Sequence, residues 1–266
     1  MARGQQGARF GTALVTGATG GLGRELARRL AREADALVLS GTDSGALDEL
    51  AAKLGRGAGR RVETVACDLS QPGAASELAA AVAGLGLTVD TLVNCAGFGC
   101  DAPFTESDPA RQRALVQVND MALMELCRAF APSMAARGRG YILNVASIAG
   151  FLPGPRMATY YASKAFVQSF SQALHVELRP SGVHVTALCS GPVRTPFWER
   201  ADAAHTALAH LALPASAVAC AGVRALRWNK ALCVPGLLAK LVVLASRVLP
   251  RGWMARLAQL LQTSWH

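Results

Sequence analysis

A parallel β-sheet covered by helices on both faces is the fold this sequence predicts, and three observations predict it. Between residues 12 and 190, short β-branched runs alternate with longer Ala/Leu/Arg stretches at helical spacing, the rhythm of repeated βαβ units. The strand-like runs carry few charges, as expected of strands buried on both faces. The chain of 266 residues is 52% hydrophobic and 17% charged, with mean hydropathy +0.27, enough to fill a large core and too apolar for disorder.

Taken in order, strands are expected at Ala13–Thr16, Ala36–Ser40, Val62–Ala66, Thr91–Asn94, Tyr141–Val145 and His184–Leu188, with helices starting near Gly21, Gly45, Ala74, Pro109 and Thr159. Right-handed crossovers bring every strand's C-terminal end to one edge of the sheet, where open α/β folds form their ligand crevice. After Pro192 the pattern changes to Ala/Leu-rich helical segments broken by Pro214, Pro235, Gly236, Pro250 and Gly252, and no strand is evident. The expected organisation is one domain: a core over 1–202 and a helical extension over 203–266 that serves as lid or interface.

Charge divides the chain at the same place. All 18 acidic residues lie at or before Asp202, whereas 203–266 holds seven basic residues and so carries +7 of the net +9. A phosphate-binding footprint would then sit on the tail alone, so no nucleic-acid partner is expected. The N-terminal stretch has no apolar signal-like region and no later run holds about 18 apolar residues, which points to a cytoplasmic protein without a membrane span. The seven cysteines are odd in number and scattered, with no CxxC pair and no His/Cys metal spacing. Free thiols and no metal are expected.

The first strand ends in Thr16-Gly17-Ala18-Thr19-Gly20-Gly21-Leu22-Gly23 and runs into a helix. Glycines permit a tight turn and close backbone approach, and a helix N-terminus offers free N–H groups to a phosphate. Such a turn is equally well a purely structural feature. Asp68 and Asn94 close the third and fourth strands, where either also suits a turn cap. Asn119 interrupts a helical stretch, Ser147 ends the fifth strand, and Tyr160 and Lys164 share one face of the next helix. Lowering a phenol from its reference pKa of about 10 to a working value takes about 2–3 units, and a neighbouring ammonium supplies that sign of shift. Taken alone, the same residues make a surface pair and a turn serine.

In combination they resemble the short-chain dehydrogenase/reductase family. Thr16-Gly17-x3-Gly21-x-Gly23 matches its cofactor motif, Asn94-Cys95-Ala96-Gly97 its Asn-Asn-Ala-Gly element, and Asn119, Ser147, Tyr160 and Lys164 its catalytic tetrad, in order across roughly residues 10–200. The resemblance implies a Rossmann-type sheet of about seven parallel strands and hydride transfer between a nicotinamide cofactor and a carbonyl or alcohol carbon. It makes Tyr160 the general acid/base, Lys164 the ribose ligand that lowers the phenol pKa, Ser147 the carbonyl-positioning hydroxyl, and Asn119 the holder of a relay water. The cofactor would meet Gly17, Thr19, Gly20, Gly21, Leu22, Gly23, Thr42, Asp68, Leu69, Asn94, Ala96, Gly97, Tyr160, Lys164, Pro192, Val193 and Thr195. Cys95 and Ser190-Gly191 depart from the family pattern without removing a reacting group.

NADP(H) is favoured over NAD(H), because the acidic position after the second strand falls on Gly41, flanked by the hydroxyls of Ser40 and Thr42; no arginine follows, and Asp43 is nearby. Phe98, Ile148, Phe151, Leu152, Pro153, Val193, Phe197 and Trp198 are expected to border an apolar ketone or secondary alcohol, as in the hydroxysteroid dehydrogenase and long-chain oxoacyl reductase branch. His175, Cys100 and Cys189 read as packing residues. Two other classes of function are a dinucleotide-sensing protein without turnover and a membrane-surface module built on the basic tail. Leu237, Leu238, Leu241, Val242, Leu244, Ala245, Val248 and Leu249 recur at helical spacing around Lys240 and Arg247. They are expected to cover the crevice and face a partner, either a second subunit in a homo-oligomer or an anionic membrane surface.

Overall fold

The computed structural model describes residues 10–55, 60–201 and 212–262. Seven strands form one parallel sheet in the order β3 (Arg61–Ala66), β2 (Ala36–Gly41), β1 (Thr12–Val15), β4 (Val89–Asn94), β5 (Gly140–Ser147), β6 (Val183–Ser190) and β9 (Leu232–Cys233). The order reverses between β1 and β4, so the crossovers leave to opposite faces there and open a crevice at the strands' C-terminal ends.

Alternate side chains explain why both faces are covered. Leu14, Val38, Leu92, Ile142 and Val185 point to one side, where they meet Leu78 and Val82 of α3 (Ala74–Gly84), Leu126 of α5 (Leu123–Ala136) and Val167 of α6 (Ala158–Leu178). Ala13, Val15, Leu37, Leu39, Val93 and Leu143 point to the other, against Leu26 and Leu30 of α1 (Gly21–Leu30) and Val218 and Leu226 of α8 (Ala215–Arg227). The period of two is intact, but with both faces apolar it reads in the sequence as a continuous run.

Five strands differ from expectation. β5 and β6 run further, to Ser147 and Ser190, which pair in register and so stand side by side at the crevice. The segment after Pro192, expected to be helical throughout, contains the short pair β7 (Val193–Arg194) and β8 (Leu213–Pro214) and supplies the seventh strand of the main sheet. β9 has only two residues, too few for a period to register. It is held by Thr186 Oγ1 donating to the Lys230 carbonyl at 2.7 Å and by Ala187 N donating to the Ala231 carbonyl at 2.9 Å. The expected boundary at 202 lies outside the described residues.

The helical stretch around Asn119 is also not uniform. Asp108 caps α4 (Pro109–Val116) by accepting from Ala110 N at 2.9 Å, with Pro109 preset for the first turn. A π-helical turn over Gln117–Ala122 then leads into α5. Two further helices, α9 (Leu237–Val248) and α10 (Arg251–Gln262), close the chain across the crevice. No helix among the described residues is long and apolar enough to cross a membrane.

Candidate active site

The Gly-rich turn is shaped by close approaches. Gly17 has φ +61°, and a Cβ there would lie 2.8 Å from the Ala96 backbone; one on Gly23 would lie 2.1 Å from the Gly17 carbonyl oxygen, and one on Gly21 2.5 Å from Thr195 Cγ2. No side chain caps the N-terminus of α1, which begins after extended Gly20 and opens towards the crevice. The buried Thr16 hydroxyl fastens β1 to β4. It donates to the Val93 carbonyl and accepts from Cys95 N at 3.1 Å and Ala96 N at 3.2 Å. The substitution at position 95 leaves this pin intact, because it uses the backbone amide.

The turn forms one end of a cavity of about 560 Å³. Of the residues expected to meet a cofactor, all but Asn94 line it, including Thr42, Asp68, Leu69, Gly97, Pro192 and Val193. Asn94 lies behind the wall: its amide donates to Asn144 Oδ1 at 2.9 Å and to Cys127 Sγ at 3.4 Å, tying β4 to β5. Asp68 lines the cavity and also caps its turn, accepting from Ser70 N at 3.0 Å, a hydrogen bond that holds its carboxyl below the usual carboxylate range. Asp43, which the sequence leaves near the 2′-phosphate position, is committed elsewhere: its carboxylate accepts from Ala46 N at 2.9 Å and caps α2 (Ser44–Gly55).

Three of the four tetrad candidates, Ser147, Tyr160 and Lys164, converge on the cavity. Ser147 Oγ accepts from Ala149 N at 3.1 Å and donates to the Ser190 carbonyl at 3.2 Å, and Ser147 lines the cavity together with Tyr160. Lys164 Nζ lies 5.7 Å from the Tyr160 ring centre and donates to the Val145 carbonyl at 3.0 Å. Asn119, carried by the π turn, is not at the cavity wall. Its Oδ1 accepts from Phe98 N at 3.1 Å, and its Nδ2 donates to the Phe98 carbonyl at 3.1 Å and to Ser163 Oγ at 3.0 Å. It clamps the loop after β4 beneath Gly97, where a Cβ would stand 2.9 Å from Asn119 Oδ1.

Electrostatics reverse one expectation. Burial pushes the Tyr160 phenol above its ordinary value, Tyr161 adds to that, and only the Ser147 hydrogen bond opposes it. The ammonium does not bring the phenol down, because Lys164 spends its hydrogen bond on Val145 and is itself pushed down by burial, with Asp120 the main opposing influence. Asp120, beside Asn119 on the π turn, is pushed up to about 6 by burial against the pull of Lys164. Its Oδ1 is buried without a hydrogen-bond partner among the described residues. Sequence reading passed over Asp120; the available signal was an acid directly after Asn119 in an otherwise apolar helical stretch.

The other end of the cavity is apolar. Phe98, Ile148, Leu152, Val193 and Phe197 line it as expected, joined by Met157, Val242 of α9 and Ala258 of α10; Phe151 and Pro153 stand outside the lining, and the Trp198 side chain lies outside the described part. Tyr160 faces Phe197 with ring centres 5.5 Å apart. Among the described residues no group of three or more metal-binding side chains occurs.

A family sequence model described as short chain dehydrogenase matches residues 11–206. An uncharacterized oxidoreductase of Staphylococcus saprophyticus is 36% identical over 185 residues, 70% of this chain and 79% of that protein. A very-long-chain 3-oxoacyl-CoA reductase of Phaeosphaeria nodorum is 36% identical over 187 residues, covering 69% of this chain but only 55% of that reductase. Among solved structures, a short-chain dehydrogenase from Sphingobium yanoikuyae in complex with NADPH superposes with a TM-score of 0.79 at 32% identity, over 89% of this chain and 92% of that one.

Proposed function

The chain belongs to the short-chain dehydrogenase family and is an NAD(P)-dependent oxidoreductase, and we propose that it reduces apolar ketones with Tyr160 as the proton donor. The observation that carries this reading is that Ser147 and Tyr160 line one cavity that runs from the glycine-rich turn to an apolar pocket. The uncapped N-terminus of α1, which opens on the cavity beside a turn without side chains at Gly17, Gly20, Gly21 and Gly23, suits a pyrophosphate, and Thr195, Pro192 and Val193 line the cavity together with Tyr160. When bound, the nicotinamide cofactor supplies the hydride.

The chain's own residues handle the proton and the oxygen. Ser147 Oγ, held by Ala149 N, orients the carbonyl oxygen; Tyr160 Oη gives it the proton. The Tyr160 phenol is neutral at working pH, the form a proton donor needs. Lys164, 5.7 Å from the ring centre and anchored on the Val145 carbonyl, would hold the ribose of the nicotinamide cofactor. Asn119 shapes the wall through Phe98. The apolar lining and the likeness to a very-long-chain 3-oxoacyl-CoA reductase support a substrate with a long or bulky hydrocarbon part. A panel of ketones assayed by nicotinamide absorbance tests the reading: bulky apolar ketones should be reduced, and turnover confined to polar sugars would overturn it.

Asp120 gives the reaction a pH signature. Its carboxyl becomes charged as pH rises through about 6, and the charge then supports the Lys164 ammonium. The kcat/KM profile should therefore rise with an ionisation near pH 6. Asp120→Asn removes that limb and, by withdrawing the influence that raises the Lys164 pKa, moves the alkaline limb to lower pH. A variant profile superimposable on the parent's would count against the coupling.

NADPH should bind more tightly than NADH. Gly41 carries no carboxylate, the Asp43 carboxylate is committed to its helix cap, and Arg24, donating to the Thr19 carbonyl at 3.4 Å, brings a cation to the corner where Thr19 packs against Gly41. The buried Arg24 Nε has no hydrogen-bond partner among the described residues and remains to be satisfied. Arg24→Met should weaken NADPH by roughly tenfold, the scale of one charge-assisted contact, and leave NADH nearly unchanged. Equal losses for both cofactors would refute the assignment.

A further inference from the structure

The helices that roof the cavity are turned the wrong way round for water. In α9 the buried residues are Ala239 and Val243, and in α10 Met254 and Ala258 are buried, whereas Leu237, Leu244, Val248, Trp253 and Leu260 are each at least 60% exposed. A surface helix of a soluble protein puts its large apolar side chains inward. Here small residues face the protein, and a contiguous leucine-rich face, with Leu238, Leu241 and Leu257, looks outward. Exposed Lys240, Arg247, Arg251 and Arg256 lie on the same two helices, and residues 203–266 contain no acid at all.

We propose that α9 and α10 form a docking surface for an anionic lipid bilayer, on which the protein lies without crossing. Each helix has 12 residues, too short to span hydrocarbon but suited to lie in the interface, with leucines and Trp253 sunk in it and basic side chains reaching to headgroup phosphates. Charge decides against a second copy as the occupant. A two-fold dimer sets the same patch against itself, bringing eight cations together with no carboxylate on either pair of helices to neutralise them. A lipid surface supplies the missing negative charge. Because Val242 and Ala258 of these helices line the cavity, docking would place the apolar end of the site one helix away from hydrocarbon; this consequence for substrate delivery rests on the proposed ketone reduction, whereas the docking itself does not.

Co-sedimentation with vesicles, run without substrate, tests the surface. The full chain should pellet with phosphatidylcholine vesicles containing phosphatidylserine and far less with phosphatidylcholine alone. Each basic residue near an anionic surface is worth about fivefold in partitioning, so Lys240→Gln with Arg247→Gln should lower binding to anionic vesicles about twenty-five-fold. Leu244→Glu with Val248→Glu should abolish pelleting on both. All four positions are exposed and outside the cavity lining, so turnover of a short water-soluble ketone should persist in both variants and reports on the proposed reaction separately. A parent protein that stays in the supernatant with both vesicle types overturns the proposal, as does pelleting unchanged by either variant. So does a dimer in sedimentation velocity that only the glutamate pair dissociates.

Discussion

Tyr160→Phe will take up NADPH as the parent does and reduce ketone about 10²–10⁴-fold more slowly, the usual scale for losing a general acid. The substitution removes one hydroxyl and leaves the ring, so packing against Phe197 and Tyr161 survives and the wall of the cavity keeps its shape. What is lost is the group facing Ser147 in a site where burial keeps the phenol protonated. Ser147 cannot take over, because an aliphatic hydroxyl is a far weaker acid than a phenol. Cofactor titration and turnover measured on the same preparation separate the two effects. Parent-like turnover in the variant would remove Tyr160 from the role proposed for it.

Gly23→Ala should damage cofactor binding and stability together. The added methyl would stand 2.1 Å from the Gly17 carbonyl oxygen and 3.2 Å from Ala18 Cα, contacts with backbone that no side-chain rotation relieves. Relief requires α1 to move away from the turn, which Thr16 and the close approach of Gly17 to Ala96 fasten to β4. Overpacking of this kind costs about 1–3 kcal/mol, or a fall in Tm of roughly 3–10 °C in a chain of this size. NADPH affinity should fall at least about tenfold as the helix N-terminus is displaced. Gly84→Ala is the control: nothing lies within 4 Å of its added methyl at the end of α3, and it should leave both measurements unchanged or raise Tm slightly. Similar behaviour of the two variants would contradict the close-packed turn.

Much of this was legible because parallel strands announce themselves locally. Leu14 and Val15 go to opposite cores, yet both are apolar, and glycines mark where the chain must turn. Ser147, Tyr160 and Lys164 were legible for a similar reason: one strand end and one helical turn place all three. Distances across the fold were not. The run holding Val242 was expected to cover the crevice, but nothing in the local pattern around Ala258 says that it meets the cavity, and two-residue β9 depends on hydrogen bonds to β6 that its own sequence does not encode. The sign of the Tyr160 shift escaped for the same reason, since burial is a property of the assembled site and outweighs the nearby ammonium. Asn119 was legible as a special residue, but its engagement with Phe98 was hidden in the π turn.

That π turn over Gln117–Ala122 has the length of a single residue inserted into a continuous helix. An inserted residue in a regular helix would turn everything on one side of it by about 100° and bury the wrong face. Absorbed as one wide turn, it lets Leu115 before it and Leu126 after it both stay in the core while Asn119 between them clamps the loop after β4. The helix thus acts as two phase-independent halves, and a one-residue deletion within the turn should be tolerated by the scaffold on either side far better than by the loop after β4, which would lose its clamp.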